Sequence, residues 1–274
     1  KARLKFLVAD WGVERLRPVL EDDYLGGRLP DGPAPAPTTG PGDHVGVHPQ
    51  KDGRLYVGLA PLVGRVSGTG LRLLADAAEA SGSGRVRLTP QQKVVVLDVD
   101  PGRLGVLLAG AERAGLTASP SPFRRHTASC TGIEFCKLAL VETKATAAAA
   151  VEELERRLAG VPLDAPISLH VNGCPYSCAR IQIADIGLRG QVTRRADGTE
   201  EASFQVHLGG GLTSADRAEP GFGRVLRGLK VPAGQVADFV ERVTRAYLAG
   251  RRPGEDFAAW AARAEDAALP EPRG

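Results

Sequence analysis

All four cysteines of this 274-residue chain fall within 49 positions, as Cys130, Cys136, Cys174 and Cys178. They form two close pairs, C-x5-C and C-x3-C, separated by 37 residues. In a reducing compartment such pairing favours a metal over disulfides. The spacing leaves three readings open. Zinc knuckles generally use C-x2-C, whose tight turn lets both thiolates reach one tetrahedral ion. The wider intervals suit a larger object, since a 4Fe-4S cube takes four thiolates at separate iron corners. Cysteines without a ligand are the third reading. The flanking residues agree with a cluster niche: SCTGIEFCK supplies a small residue and a glycine, and NGCPYSCAR puts Gly173 and Pro175 around the third cysteine. Glycine permits close backbone approach and proline shapes a turn, so backbone N–H groups can point at sulfur.

The length exceeds a usual single domain, so one large or two modest domains are expected, and 43% hydrophobic residues suffice for a core. No apolar run is long enough to span a membrane and no signal segment opens the chain, so a cytoplasmic protein is expected. Thirty-five basic residues balance 32 acidic ones and aromatics make up 5%, which argues against a nucleic-acid binder. The sequence contains no methionine and opens on Lys1; a piece of something longer is expected.

Along the chain, residues 1–29 carry helical periodicity, with Leu4, Leu7, Val8 and Trp11 on one face and Trp11-Gly12 and Pro18 limiting its extension. Residues 30–43, PDGPAPAPTTGPGD, read as an extended connector. Beyond it the pattern predicts a strand in RLYVGLAPL, an amphipathic helix over 69–81, strands in RVRLT and KVVVLDV joined at Pro90-Gln91-Gln92, and a helix over 101–114. This βαββα order is that of a ferredoxin-like half-domain. After residue 120 come the cysteine segment, a helix in ATAAAAVEELERRL, strands in ISLHV, RIQIADIGL and SFQVHLG, a helix with Val236, Phe239, Val240, Val243 and Tyr247 on its core stripe, and a helical tail from Glu255 to Ala267.

At the cysteines the chain resembles the siroheme-dependent sulfite and nitrite reductases, specifically the C-terminal half of the ferredoxin-dependent enzymes. CTGIEFCKLALVETKA and VNGCPYSCARIQIADIGLRG are similar to that family's two cluster segments, and DHVGVHPQKDGRLYVGLAPLVGR with RVRLTPQQKVVVLDV to its second ferredoxin-like half-domain. The resemblance implies an α+β chain: a helical arm and linker over 1–43, a ferredoxin-like half-domain over 44–119, and a 4Fe-4S/siroheme-binding α/β domain over 120–274. It implies a 4Fe-4S cluster on Cys130, Cys136, Cys174 and Cys178, with Cys178 also ligating the siroheme iron. Gln92 matches a family position that contacts siroheme, and Arg87 on the preceding strand is a candidate for the macrocycle's carboxylates. Thr131 and Asn172, flanking the cysteines, are candidates for hydrogen bonds to sulfur or macrocycle. Position 176, commonly asparagine in the family, is Tyr176 here, which places any carried-over amide bond in doubt.

The resemblance further implies six-electron reduction of sulfite to sulfide, with reduced ferredoxin as donor. The cations that hold the substrate anion are expected on an N-terminal half of the same polypeptide, leaving no catalytic residue assigned here. GIEFCKLA and VNGCPYSCARIQIADIG are closer to the bacterial sulfite enzymes than to nitrite reductases, which remain the first alternative. A related corrin-ring synthase without siroheme, and a non-catalytic iron-sulfur or zinc module, are the others. The five histidines show no metalloprotease motif, although His44 and His48 stand at H-x3-H spacing. Gly209-Gly210-Gly211 reads as a turn rather than a phosphate loop, and Arg242, Arg245, Arg251 and Arg252 read as solvated helix surface before an acidic-partner face.

Overall fold

The computed structural model describes residues 4–33, 42–195, 197–212 and 221–264. The chain divides into two compact units, Lys1–Pro37 and Thr38–Gly274. In the first, α1 (Leu4–Val19) is broken at Gly12 (φ 71, ψ 167) and carries Pro18 inside it. The missing proline N–H opens the helical ladder, and a wider π-helical turn, Leu20–Leu25, follows before Gly26 ends it in the left-handed region. Buried Glu21 then ties this unit together, accepting from Arg17 at 2.8 Å, Arg28 at 2.7 Å and the Leu29 N–H at 3.0 Å. The two guanidinium groups hold its carboxyl well below the usual range, at about 2. Of the expected connector, residues 34–41 lie outside the described residues.

The second unit opens on β1 (Gly46–Pro49) and β2 (Leu55–Pro61), then α2 (Gly68–Ala80), β3 (Arg85–Leu88), β4 (Val94–Val99), α3 (Leu104–Arg113) and β5 (Leu116–Thr117). The strands pair antiparallel in the order β1-β2-β4-β3, with β5 on β2. Residues of β2 and β4 that alternate toward the helices, Val57, Leu59, Val94 and Val96, are buried against Leu74, Ala77, Leu107 and Ala111. Ser67 caps α2 by accepting from the Gly70 N–H at 3.0 Å. The short β1 and β5 were not legible from periodicity, because four and two residues give too little pattern.

α4 (Pro122–His126), β6 (Thr127–Ser129), α5 (Lys144–Arg157), β7 (Leu169–Asn172), β8 (Ile186–Arg194), β9 (Glu200–Leu208), β10 (Arg224–Pro232), α6 (Val236–Gly250) and α7 (Phe257–Arg263) follow. Their sheet has the order β10-β9-β8-β7-β6. β6, β7 and β8 run parallel to one another, while β8, β9 and β10 are antiparallel. One face, with Leu169, Val171, Ile186, Leu188, Phe204 and Val206, packs against Leu154 of α5 and Phe239, Val240 and Val243 of α6. Tyr247, Phe257 and Trp260 close that core with ring centroids 5.3 to 5.6 Å apart.

The strand expected over RIQIADIGL begins only at Ile186. Arg180 is left-handed at φ 58 and Ile181–Ile183 form a 3-10 turn; the apolar alternation there serves a packed loop. Of the helical tail, Phe257–Arg263 is helix and 265–267 lie outside the described residues. Arg242 departs from the solvated reading, since its Nε and one Nη are buried without a hydrogen-bond partner. Arg245 pairs with Glu241 at 2.9 Å and Arg251 with Asp164 at 2.6 Å.

The crossing of α2 and α3 depends on a missing side chain. A Cβ at Gly110 would lie 2.2 Å from the Ala77 Cβ, whereas one at Gly105, also on α3, meets nothing within 4 Å. Gly110→Ala is expected to destabilise the protein by about 1–3 kcal/mol, and Gly105→Ala to raise stability by up to about 1 kcal/mol, both read from thermal unfolding.

Candidate functional site

Parallel pairing of β6 with β7 sets Ser129 opposite Val171, so the strands end side by side and release two loops from the same edge. Ligand sites in open α/β sheets form at such carboxyl ends. Cys130 follows β6 immediately, its N–H donating to the Val171 carbonyl at 3.0 Å. Cys174 follows β7 by one glycine, and the Gly173 N–H donates to Cys130 Sγ at 3.2 Å. A Cβ at Gly173 would stand 3.0 Å from the Ala139 Cβ and 3.1 Å from the Val141 carbonyl. Glycine there lets the two cysteine loops touch.

The first loop folds on itself through Cys136 N–H to Gly132 O at 3.0 Å and returns to the second through Leu140 N–H to Gly173 O at 2.8 Å. Gly132 turns it at φ +70, beneath Thr143. Thr143, fully buried, donates its hydroxyl to the Cys130 carbonyl at 2.7 Å, with Oγ1 3.7 Å from Cys130 Sγ. Thr131 itself is exposed. In the second loop the buried Asn172 amide is an internal strut: Nδ2 donates to the Cys174 carbonyl at 2.6 Å and Oδ1 accepts from the Ala179 N–H at 2.9 Å. That strut straddles Cys178. Ser177 and Arg180 beside it adopt φ 60 and 58, a conformation that costs non-glycine residues roughly 1–2 kcal/mol.

All four cysteines are free thiols; Cys174 is buried, Cys130 and Cys136 half-buried, and Cys178 exposed. Among the described residues no three His, Cys, Asp or Glu side chains converge tightly enough for a single metal ion. Four thiols on two mutually bonded loops, with a backbone N–H already on one sulfur, suit a cluster that takes its ligands at separate corners. Tyr176 in the second loop is 49% exposed, and Ile133, Phe135, Leu138 and Leu140 of the first loop are exposed to a similar or greater degree.

The half-domain contributes its turn at 89–92. Gln92, left-handed at φ 60, donates Nε2 to the Ser129 carbonyl at 2.7 Å and accepts from the Ser129 N–H at 3.1 Å. Its amide thereby fills the unpaired side of β6 as a strand neighbour would. Lys144 Nζ donates to the Val63 carbonyl and lies 3.5 Å from Gln92 Oε1. Arg87 lines an open groove of about 580 Å³ on the helix-free face of the sheet, together with His44, Tyr56, Pro90 and Gln91. His44 and His48 pack on Tyr56, His48 stacked at 4.7 Å, and so serve as aromatic packing. Gly209 and Gly210 close a turn onto Asp185 and Ala184 carbonyls.

Lys93, which no sequence signal singled out, is 1% exposed with an unpartnered Nζ; burial lowers its ammonium to about 8. Ser129, Thr143 and Arg180 were likewise invisible, because their roles come from contacts far along the chain.

A model of the nitrite/sulfite reductase ferredoxin-like half domain matches residues 48–114, and one of the nitrite and sulphite reductase 4Fe-4S domain matches 121–264. The chain belongs to the nitrite/sulfite reductase family. It is 55% identical over 271 residues to sulfite reductase (ferredoxin) 1 of Mycolicibacterium paratuberculosis, covering 98% of this chain and 48% of that protein. An assimilatory ferredoxin-dependent nitrite reductase of Haloferax mediterranei is 39% identical, over 95% of this chain and 45% of that one. The structure of the Mycobacterium tuberculosis NirA protein superposes with a TM-score of 0.93 at 50% identity, covering 98% of this chain and 49% of that one. The chain thus spans about half the length of the relatives it matches.

His170, on β7, has Nδ1 3.2 Å from the Arg180 carbonyl, and burial lowers its pKa from 6.5 to about 4. The folded protein therefore prefers the neutral ring. Its stabilising contribution is complete above pH 6.5 and falls as pH drops toward 4, by up to about 3 kcal/mol. His170→Gln is expected to flatten that part of a denaturant-midpoint profile against pH.

Proposed function

We propose that this chain is the cluster-bearing half of a ferredoxin-dependent sulfite reductase, with the arm and linker over 1–43, the half-domain over 44–119 and the cluster domain over 120–274. The observation that carries the reading is the pair of free-thiol loops bonded to each other at the ends of adjacent parallel strands. Cys130, Cys136, Cys174 and Cys178 hold the 4Fe-4S cluster. Cys178, the most exposed of them, is the one that also reaches the siroheme iron. The coupled cluster and macrocycle supply adjacent electron stores, which the six-electron reduction of sulfite to sulfide needs from a one-electron donor.

The chain's own residues hold and insulate this centre. The Gly173 N–H stabilises the Cys130 thiolate, Thr143 fixes the Cys130 carbonyl, and Asn172 keeps the C-x3-C loop open around Cys178. Arg87 and Thr131, whose exposure leaves them accessible, would meet the macrocycle, whereas the Gln92 and Asn172 amides are committed to backbone and act by holding the loops. The cations that bind the substrate anion come from an N-terminal half of the same polypeptide.

Sulfite is favoured over nitrite because relatives named sulfite reductase reach 50–55% identity, against 37–39% for those named nitrite reductase. Ferredoxin as donor rests on the same names. Among the described residues no helix is long and apolar enough to cross a membrane. Four free cysteines suit a reducing cytoplasm.

Full-length protein is expected to show siroheme bands in visible absorption and to turn over sulfite faster than nitrite with reduced ferredoxin. Absence of a macrocycle would overturn the reductase reading, and a preference for nitrite would reassign the substrate. Cys178→Ser is expected to lower sulfide formation by at least about tenfold; unchanged sulfide formation would remove Cys178 from its role.

A further inference from the structure

The turn between β3 and β4 belongs to the half-domain, yet its bonds reach both cysteine loops of the other module. On one side the Gln92 amide holds both backbone groups of Ser129, the residue before Cys130. On the other, Arg180, two residues after Cys178, donates its guanidinium to the Pro90 carbonyl at 2.8 Å. The turn itself is closed, with the Gln92 N–H on the Thr89 carbonyl and the Thr89 N–H on the Lys93 carbonyl, both at 3.0 Å. A rigid four-residue staple from one module thus grips the outer shoulders of two loops in another. Resting on the proposed cluster assignment, we infer that Gln92 and Arg180 are positioning residues that fix the Cys130 and Cys178 loops relative to each other.

Three observations argue against a generic fastening. Gln92 and Arg180, with Ser177 between the last two cysteines, are all non-glycine residues in the left-handed region, a strain that persists only where surroundings over-determine it and that concentrates at functional sites. Gly64 is itself accommodated to the turn, since a Cβ there would stand 2.6 Å from the Gln92 Cβ. Finally, Ser129 is fully buried, so losing the Gln92 amide leaves two backbone groups without partners and releases the end of β6. The Cys130 N–H bond to Val171 and the Gly173 N–H bond to Cys130 Sγ depend on that end staying in register. N–H bonds to sulfur and ligand orientation tune the potential of a cluster, so a loosened staple reads out electronically.

The test uses the full-length holoenzyme and the reduced cluster's EPR signal and midpoint potential, with Arg180→Ala, Arg180→Lys and Gln92→Met. Arg180→Ala and Gln92→Met are expected to shift both readouts. Arg180→Lys, which can still donate to the Pro90 carbonyl, is expected to return them toward wild type. Gly110→Ala serves as a control that loses stability away from the turn and is expected to leave the potential unchanged. Unshifted EPR and potential in Arg180→Ala and Gln92→Met, or an equal shift in Gly110→Ala, would overturn the positioning role while leaving the cluster assignment intact. A wild-type protein with no 4Fe-4S signal would overturn both.

Discussion

The parallel pairing of two short strands is the constraint on which the site depends. β6 has three residues and β7 four, too few to be stable alone, and their alignment sets where Cys130 and Cys174 leave the sheet. A slip by one residue would turn Leu169 and Val171 out of the core. The hydrophobic face of the sheet and the register of the cysteines are therefore one and the same specification. Burial of Leu169, Val171, Ile186 and Leu188 under α5 and α6 fixes the ends of the strands, and those ends bring Gly173 N–H to Cys130 Sγ.

Around that edge, side chains replace secondary structure. The loops from 130 to 143 and from 173 to 185 have few ladders, so their backbone groups need other partners. Asn172 supplies two, Thr143 one, and Gln92 two from the neighbouring module. Neutral amides and hydroxyls do this without placing full charge beside the thiols. Of the charged contacts between modules, Arg65 to Glu134 and Arg180 to the Pro90 carbonyl lie at the exposed margin, where solvation keeps ionic groups inexpensive, whereas the Lys144 ammonium on the Val63 carbonyl is partly buried.

The exposed surface next to the site is the other consequence. Phe135 and Leu88 are 75% and 80% exposed, and the 580 Å³ groove beside Arg87 lies open. The chain spans about half the length of the relatives it matches.

The sequence by itself determined the module order, the long helices and the identity of the four cysteines, because apolar periodicity and spacing are local properties. α2, α5 and α6 follow their patterns closely, and the cysteine motifs carried the resemblance. Local pattern failed at Arg180–Ala184, where strand-like alternation is a loop wrapped by tertiary contacts. It also failed at Asn172 and Gln92, whose residue types were visible but whose partners were not. Only the tertiary structure decided that Gln92 would serve Ser129, that Thr143 would hold Cys130, and that Lys93 would lose its water. The first two assignments are made by backbone groups up to 37 residues away, and the third by burial alone. No window of sequence contains both the need and the group that meets it.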